Sequence, residues 1–267
     1  MDLCISLLTD FGYDDPYVGQ LKGVLASLAP HARIYDLTHG VRPHNVLQGG
    51  FFLCASLMTA PEKTVFLAVV DPGVGSNRRI VAARVKDRFL LAPDNGLLSM
   101  VIDYHKVQEL VLVTNMDSHL GYGKISATFH GRDVFAPLAA ALANGTPLSE
   151  LGQPVDPKEL VHHPLASPAL HYTQVAAAVI HVDRFGNVVL NVPENAGYIP
   201  IELFELLSPK KERGRIVQTY ADLKEMELGF LAGSQGFMEL AYDRNSAAAI
   251  LNLDIGDTVL FTPRALG

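Results

Sequence analysis

Val65-Phe66-Leu67-Ala68-Val69-Val70-Asp71-Pro72-Gly73-Val74-Gly75-Ser76-Asn77-Arg78-Arg79 decides how the rest of the chain is read. Six apolar residues, three of them valine, end in a carboxylate. A continuous apolar, β-branched run predicts a strand covered on both faces, as in parallel sheets. Ligands of open α/β sheets bind just beyond the carboxyl ends of such strands, and Asp71 falls there. The glycines that follow allow a close backbone approach, and Arg78 can fold back toward the carboxylate. The same residues also fit a strand, a turn and a surface ion pair of little energetic weight.

Working outward, Leu3 to Leu8 reads as a buried strand ending at Thr9-Asp10-Phe11-Gly12. Tyr13-Asp14-Asp15-Pro16 predicts a helix start, with Asp as the cap and Pro at the first helical position. Tyr17, Leu21, Val24 and Leu28 follow at helical spacing, and Pro30 stops the helix. Arg33 to Leu37 is a short strand followed by Thr38-His39-Gly40. A second helix starts near Asn45, and Gly49-Gly50 inside it implies close packing. Beyond Arg79, Ile80–Val85 and Phe89–Ala92 form a hairpin turning at Lys86-Asp87-Arg88. Pro93-Asp94-Asn95-Gly96 is a turn, Leu97–Tyr104 a short helix and Val107–Val113 a strand. Ser126–His130 leads into Gly131-Arg132-Asp133 and a helix from about Val134 to Asn144, ended by Gly145. This alternation predicts an α/β N-terminal domain with a mainly parallel sheet over residues 1–150.

Residues 151–172 hold Pro154, Pro157, Pro164 and Pro168 with little periodicity, and read as a linker. Residues 173–267 are β-rich. Val175–Val182 and Val188–Val192 flank the tight turn Asp183-Arg184-Phe185-Gly186-Asn187. Ile216–Thr219, Phe237–Tyr242 and Thr258–Thr262 are further strands, and only Ser246–Leu251 looks helical. The expectation is a smaller β-barrel-like C-terminal domain.

The 267 residues, 49% hydrophobic and 18% charged, describe a globular chain. A net charge of −7 without a basic stripe argues against nucleic acid as a partner. Lys210-Lys211-Glu212-Arg213 reads as a solvated loop. Cys4 and Cys54 lie in apolar runs, which predicts buried free thiols in a reducing compartment. Leu3–Leu8 is too short, and lacks the basic flank, for a signal peptide. No run nears the roughly 20 apolar residues of a membrane span. A cytoplasmic protein is expected.

Polar clusters follow the strand ends: Asp10, Asp71, Asp94-Asn95 and His130-Gly131-Arg132-Asp133. In a parallel sheet these meet along one edge, where a site is built. Asp10, Asp71, His130 and Asp133 offer metal-ligand atoms, but no HxH, HExxH or DxDxDG spacing fixes them, and no metal or cofactor is expected. A GxSxG elbow, a full GxGxxG and a GK[ST] loop are also missing. Taken singly, His130 could cap a helix, Asp10 close a turn, and Asn187 serve for its tolerance of positive φ.

Together the motifs are more specific. Thr9-Asp10-Phe11-Gly12 with Tyr17-Val18-Gly19, Asp71-Pro72-Gly73-Val74-Gly75 with Arg78-Arg79, Pro93-Asp94-Asn95-Gly96, Thr128-Phe129-His130-Gly131-Arg132-Asp133, Asp183 with Phe185-Gly186-Asn187, and Gly233-Ser234 with Asn245-Ser246-Ala247 stand in one order over nearly the whole chain. In this the chain resembles the S-adenosyl-L-methionine (SAM) hydroxide adenosyltransferases, relatives of the fluorinase and chlorinase enzymes. The resemblance implies an α/β domain followed by a β-barrel domain. It implies a homotrimer, with substrate between the N-terminal domain of one subunit and the C-terminal domain of its neighbour. The reaction implied converts SAM and water to adenosine and L-methionine. Asp71, Arg78 and His130 take the catalytic positions and Asp10 the ribose-binding one. Tyr17, Asp183, Phe185, Asn187 and Ser234 fall at substrate-binding positions. Gln235 stands where fluorinase-like enzymes carry arginine, which weakens the mapping at the methionine end. Those enzymes have Tyr-Pro-x-Thr where this chain has Asp71-Pro72-Gly73-Val74. Val74 offers a halide no hydroxyl and Asp71 repels one, so water is favoured as nucleophile. A non-catalytic SAM or adenosine sensor is the alternative, and a SAM-dependent halogenase a weaker one.

The chemistry agrees. The leaving group is a neutral thioether, so no general acid is needed. The difficulty lies in the water: generating free hydroxide near pH 7 costs about 12 kcal/mol. Hydrogen-bonding groups and a cation around the water lower that demand, and in-line positioning supplies roughly 7–11 kcal/mol.

Overall fold

The protein is described from a computed structural model covering residues 3–115, 125–171, 174–197 and 203–264. The chain divides into two compact units, Met1–His163 and Pro164–Gly267. The division falls inside the proline-rich stretch expected as linker.

The first unit runs β1 (Cys4–Thr9), α1 (Tyr17–Leu28), β2 (Arg33–Thr38), α2 (Val46–Leu57), β3 (Thr64–Val69), β4 (Ile80–Val85), β5 (Arg88–Pro93), α3 (Ser99–Tyr104), β6 (Glu109–Val113), α4 (Ala136–Ala143), α5 (Leu148–Leu151) and β7 (Gly152–Pro154). Its sheet has the order β2-β1-β3-β5-β4-β6-β7. β1, β2, β3 and β5 run parallel, β4 is antiparallel to both β5 and β6, and β7 is antiparallel to β6. β6 therefore shares the direction of β5, and the sheet is mostly parallel, as expected.

Every residue of β1 and β3 is buried, which is why these segments lack polar alternation. Ile5, Leu7, Val65, Leu67 and Val69 share one core with Leu21 and Leu25 of α1 and Leu138 and Leu142 of α4. The opposite face meets α2. A Cβ on Gly49 would lie 2.9 Å from Leu97 Cδ1 and 3.0 Å from Val70 Cγ2, so the paired glycines do mark close packing. Cys4 and Cys54 are buried free thiols.

Three local expectations need correction. No Asp caps α1: Pro16 is itself the cap residue, its carbonyl accepting from the Gln20 N–H at 2.9 Å. The helix expected from Val134 opens earlier, as a π-helical turn over Gly131–Phe135 that runs into α4. The stretch after Leu151 is not a free tether at first. β7 pairs with β6, and Asp156 caps a short 3₁₀ turn at Pro157–Glu159. The Val161 and His163 N–H groups bind Asp94 Oδ1 and Ser99 Oγ, each at 2.8 Å. Its prolines remove periodicity without removing contacts.

The second unit holds β8 (Ala169–His171), β9 (Gln174–Val182), β10 (Val188–Pro193), β11 (Leu203–Ser208), β12 (Glu212–Ile216), β13 (Leu228–Ala232), β14 (Phe237–Ala241), α6 (Ala247–Leu251) and β15 (Thr258–Arg264). The order β10-β14-β13-β12-β11-β15-β9-β8, with an added β9–β10 pairing, closes seven strands into a barrel. Phe204, Phe230 and Phe261 fill it, with ring centroids 5.3–6.2 Å apart. The strand expected at Ile216–Thr219 lies earlier, at β12. A charged, glycine-containing segment forms a strand there because Gly214 leaves room for the Phe204 ring, which a Cβ would strike at 2.2 Å.

Candidate active site

β3 ends at Val69, and Asp71 emerges two residues later at the carboxyl edge of the sheet. Asn95 Nδ2 donates to the Val70 carbonyl at 2.8 Å and ties the neighbouring strand-end turn to this point. The chain then turns tightly, with Val74 N–H on the Asp71 carbonyl and Ser76 N–H on the Gly73 carbonyl, both at 3.1 Å. Gly75, at φ +80°, passes so near the Ala127 carbonyl that a Cβ would lie 2.4 Å from it. This turn returns Arg78 to Asp71.

Arg78 Nε and Nη2 both lie 2.6 Å from Asp71 Oδ2. Arg78 Nη2 also reaches His130 Nδ1 at 3.0 Å. The guanidinium stands over the Phe135 ring, 5.3 Å from its centroid, a favourable placement for a cation. The side chains of Asp71 and Arg78 are 4% and 10% exposed, so solvent screens the pair little. Asp71 Oδ1 is buried with no hydrogen-bond partner among the described residues. An unsatisfied buried acceptor is costly and calls for an explanation.

The guanidinium can only donate, so His130 Nδ1 accepts and the neutral ring carries its proton on Nε2. Burial pushes the His130 pKa below its ordinary value, and the Arg78 charge adds to this, against weaker opposing pulls from Asp71 and Asp133. Arg78 thus joins an acceptor-only carboxylate to an imidazole poised as a donor.

Asp71, His130, Asp10, Tyr17, Phe129 and Val74 line a cavity of about 270 Å³ with Phe11 and His44. Asp10 Oδ2 accepts from the His44 N–H at 2.8 Å. Tyr17 opens α1 and packs edge-on against Phe129 and Phe11, at 5.1 and 6.1 Å between centroids. A larger cavity of about 720 Å³, beside Arg33, Tyr35 and Ser56, gathers no comparable set of charged groups, so size alone does not locate the site. Two other strand-end carboxylates serve the scaffold. Asp94 is taken by Arg79 at 2.7 Å. Asp133 is gripped by Arg132 at 2.6 and 2.9 Å and by the Ser126 N–H at 2.8 Å. Among the described residues, no group of three or more His, Cys, Asp or Glu side chains is placed to hold a metal ion.

In the second unit Asp183 organises its own turn. Oδ1 accepts from the Phe185 and Asn187 N–H groups at 2.8 Å, and Oδ2 from Asn187 Nδ2 at 2.9 Å. Asn187 is buried, whereas Phe185 is 81% exposed, a large apolar side chain with nothing over it in its own unit. Ser234 is exposed in the turn between β13 and β14. Beside it, Glu239 is buried and accepts from Tyr220 OH at 2.6 Å, and burial raises the Glu239 pKa, with the Asp183 charge adding to the rise. Sequence reading missed Glu239, hidden in a strand pattern, and His39, which follows a strand as one more polar residue.

A parallel-sheet edge that gathers a carboxylate, a guanidinium and a neutral imidazole around a cavity defines an α/β enzyme site for a small molecule. Family models for the SAM hydroxide adenosyltransferase N-terminal and C-terminal domains match residues 5–152 and 177–260. The chain belongs to the SAM hydroxide adenosyltransferase family. An (R)-S-adenosyl-L-methionine hydrolase of Salinispora tropica is 39% identical, over 97% of each chain. A fluorinase of an Actinoplanes species is 29% identical, again over 97% of each. A crystal structure of an uncharacterised conserved protein from Thermotoga maritima superposes with a TM-score of 0.85 at 32% identity, covering 97% of this chain and 99% of that one. No helix among the described residues is long and apolar enough to cross a membrane.

Proposed function

We propose that this chain hydrolyses SAM to adenosine and L-methionine, with Asp71, Arg78 and His130 activating the water. The observation that carries this reading is the buried, unpartnered Asp71 Oδ1 beside a cavity. An attacking water supplies the missing donor. Arg78 fills Asp71 Oδ2 and His130 Nδ1 together, which leaves Asp71 Oδ1 to accept the proton and His130 Nε2–H to donate to the oxygen. Asp71 is therefore the acceptor and His130 the stabiliser of developing hydroxide. The oxygen forms a bond to the ribose 5′ carbon as the C5′–S bond breaks. That electron pair returns to sulfur and neutralises the sulfonium, and the proton passes from Asp71 to solvent. Asp10 takes the ribose hydroxyls, and Tyr17 offers its ring to the nucleoside. Asp183, Asn187, Phe185 and Ser234 belong to the substrate site through their family positions. The full site forms in a cytoplasmic homotrimer, where a neighbour's second unit meets the first. The exposed Phe185 supports that reading. Val74, which lacks a hydroxyl, and the Asp71 charge disfavour halide as nucleophile.

Product analysis of purified variants tests these roles. Asp71→Asn and Arg78→Ala are each expected to slow adenosine formation by about 100-fold or more. Wild-type rates in both would remove the assignment.

A further inference from the structure

His39 is 1% exposed, lies outside the cavity lining, and is held on three sides. Its Nδ1 lies 2.7 Å from Thr9 Oγ1, its Nε2 lies 3.2 Å from Asp36 Oδ1, and its carbonyl accepts from the Gly12 N–H at 2.8 Å. The Asp36 approach is off-line: neither atom counts a well-aligned partner, so this contact is mainly electrostatic. Asp36 Oδ2 is taken by Tyr13 OH and Lys22 Nζ, each at 2.8 Å. A carboxylate only accepts, so His39 carries its proton on Nε2, and Nδ1 accepts from the Thr9 hydroxyl. The Thr9 oxygen remains free to accept, and the Phe11 N–H donates to it at 3.2 Å. The chain Asp36–His39–Thr9–Phe11 therefore runs through the interior and ends on the residues flanking Asp10. The same loop after β2 returns at His44, whose N–H binds Asp10 Oδ2.

We infer that His39 is a positioning residue for Asp10, joining the loops after β1 and β2 so that the carboxylate is set for a cis-diol. This rests on the reading of Asp10 as the group that takes the ribose hydroxyls. Burial alone would let His39 fill space. What marks it is the hydrogen bond on Nδ1 together with the Asp36 charge beside Nε2, in a chain that ends at the backbone around one functional carboxylate. The role is selective: it affects recognition of the 2′ and 3′ hydroxyls and leaves the chemistry at the 5′ carbon alone.

The test compares wild type, His39→Gln, Asp10→Ala and the double variant. KM and kcat are measured with SAM, and affinities for adenosine and 2′,3′-dideoxyadenosine by calorimetry. His39→Gln is expected to weaken adenosine binding and raise KM about tenfold, with kcat within about threefold and dideoxyadenosine affinity unchanged. On the Asp10→Ala background the same change should add nothing. Equal losses for both nucleosides, additive effects, or a fall in kcat alone would overturn the inference. Should His39→Gln fail to fold, Thr9→Val removes only the hydroxyl. It is expected to reproduce the selective loss, and Thr9→Ser to restore recognition. Thr9→Val binding adenosine as wild type does would equally overturn the inference. If wild type neither binds adenosine nor turns over SAM, the substrate reading falls and takes this inference with it. An unselective His39 effect in an active wild type removes this inference alone.

Discussion

Arg78 has no lone pair, and that one property assigns the protons of the site. It makes His130 Nδ1 an acceptor and leaves Nε2–H as the donor. Protonation of Nδ1 keeps the Nε2–H but removes the acceptor that Arg78 uses, so Arg78 then faces an imidazolium N–H and the arrangement that holds the ring is broken. Burial and Arg78 hold the His130 pKa below its ordinary value. Activity is therefore expected to be level near neutrality and to fall only below about pH 6.5, where a histidine of ordinary pKa has already begun to protonate. His130→Gln keeps a donor and removes the titration, so its kcat/KM profile should lose that acid limb. An unchanged limb in the variant would mean another group sets it. Asp71, Arg78 and His130 were each visible in the sequence as polar residues in glycine-bearing segments that follow strands. Their connection through one guanidinium was not, because 52 positions separate Arg78 from His130 and the order of strands in the sheet is what joins them. His39 and Glu239 gave no signal, since a buried polar residue is identified by its partners and those are distant in sequence.

At the scale of elements, the turn from Asp71 to Arg78 works because it is pressed against the segment leading to His130. Gly75 makes that contact possible through its positive φ and its missing side chain. Gly75→Ala is expected to cost about 1–3 kcal/mol of stability, from backbone strain and the clash with Ala127. Its kcat should fall further than a stability loss of that size explains, because the two halves of the proposed catalytic set move apart. Urea unfolding and steady-state rates on one preparation check this. A rate near wild type would mean the turn does not set the geometry. β1 and β3 were legible because strands buried on both faces are continuously apolar. β12 was not, since charged residues on the outer face of a barrel strand resemble a loop. β11 and β13 also escaped notice, and only the closed ring explains why those short segments pair. The helix opening at Gly131 was obscured by the π turn, whose spacing follows no 3.6-residue pattern.

At the scale of the molecule, burial depresses the pKa values of four histidines among the described residues: His39, His105, His130 and His163. In the unfolded chain each titrates near 6.5. As pH falls through that value the unfolded state takes up protons that the folded state resists, so folding stability declines. Their contribution is fully present above about pH 6.5 and is lost as pH drops through the lower folded values. Glu239, raised by burial, acts in the opposite sense but is one group against four. The urea midpoint is expected to be lower at pH 5.5 than at pH 7.5, and a higher midpoint at pH 5.5 would contradict this. The division into an α/β layer and a smaller β unit was readable from the change in composition near residue 151. The barrel-like character of that unit and the β9–β10 hairpin that closes it were also expected, whereas the order in which the remaining strands pair around the ring was not.

Solvent attack on the ribose 5′ carbon is the step on which the proposed activity stands. Incubating the enzyme with SAM in ¹⁸O-water and analysing both products by mass spectrometry tests it most directly. One ¹⁸O is expected in the 5′ hydroxyl of adenosine and none in methionine, whereas unlabelled adenosine, or a 5′-halogenated nucleoside when halide is present, would rule out solvent attack.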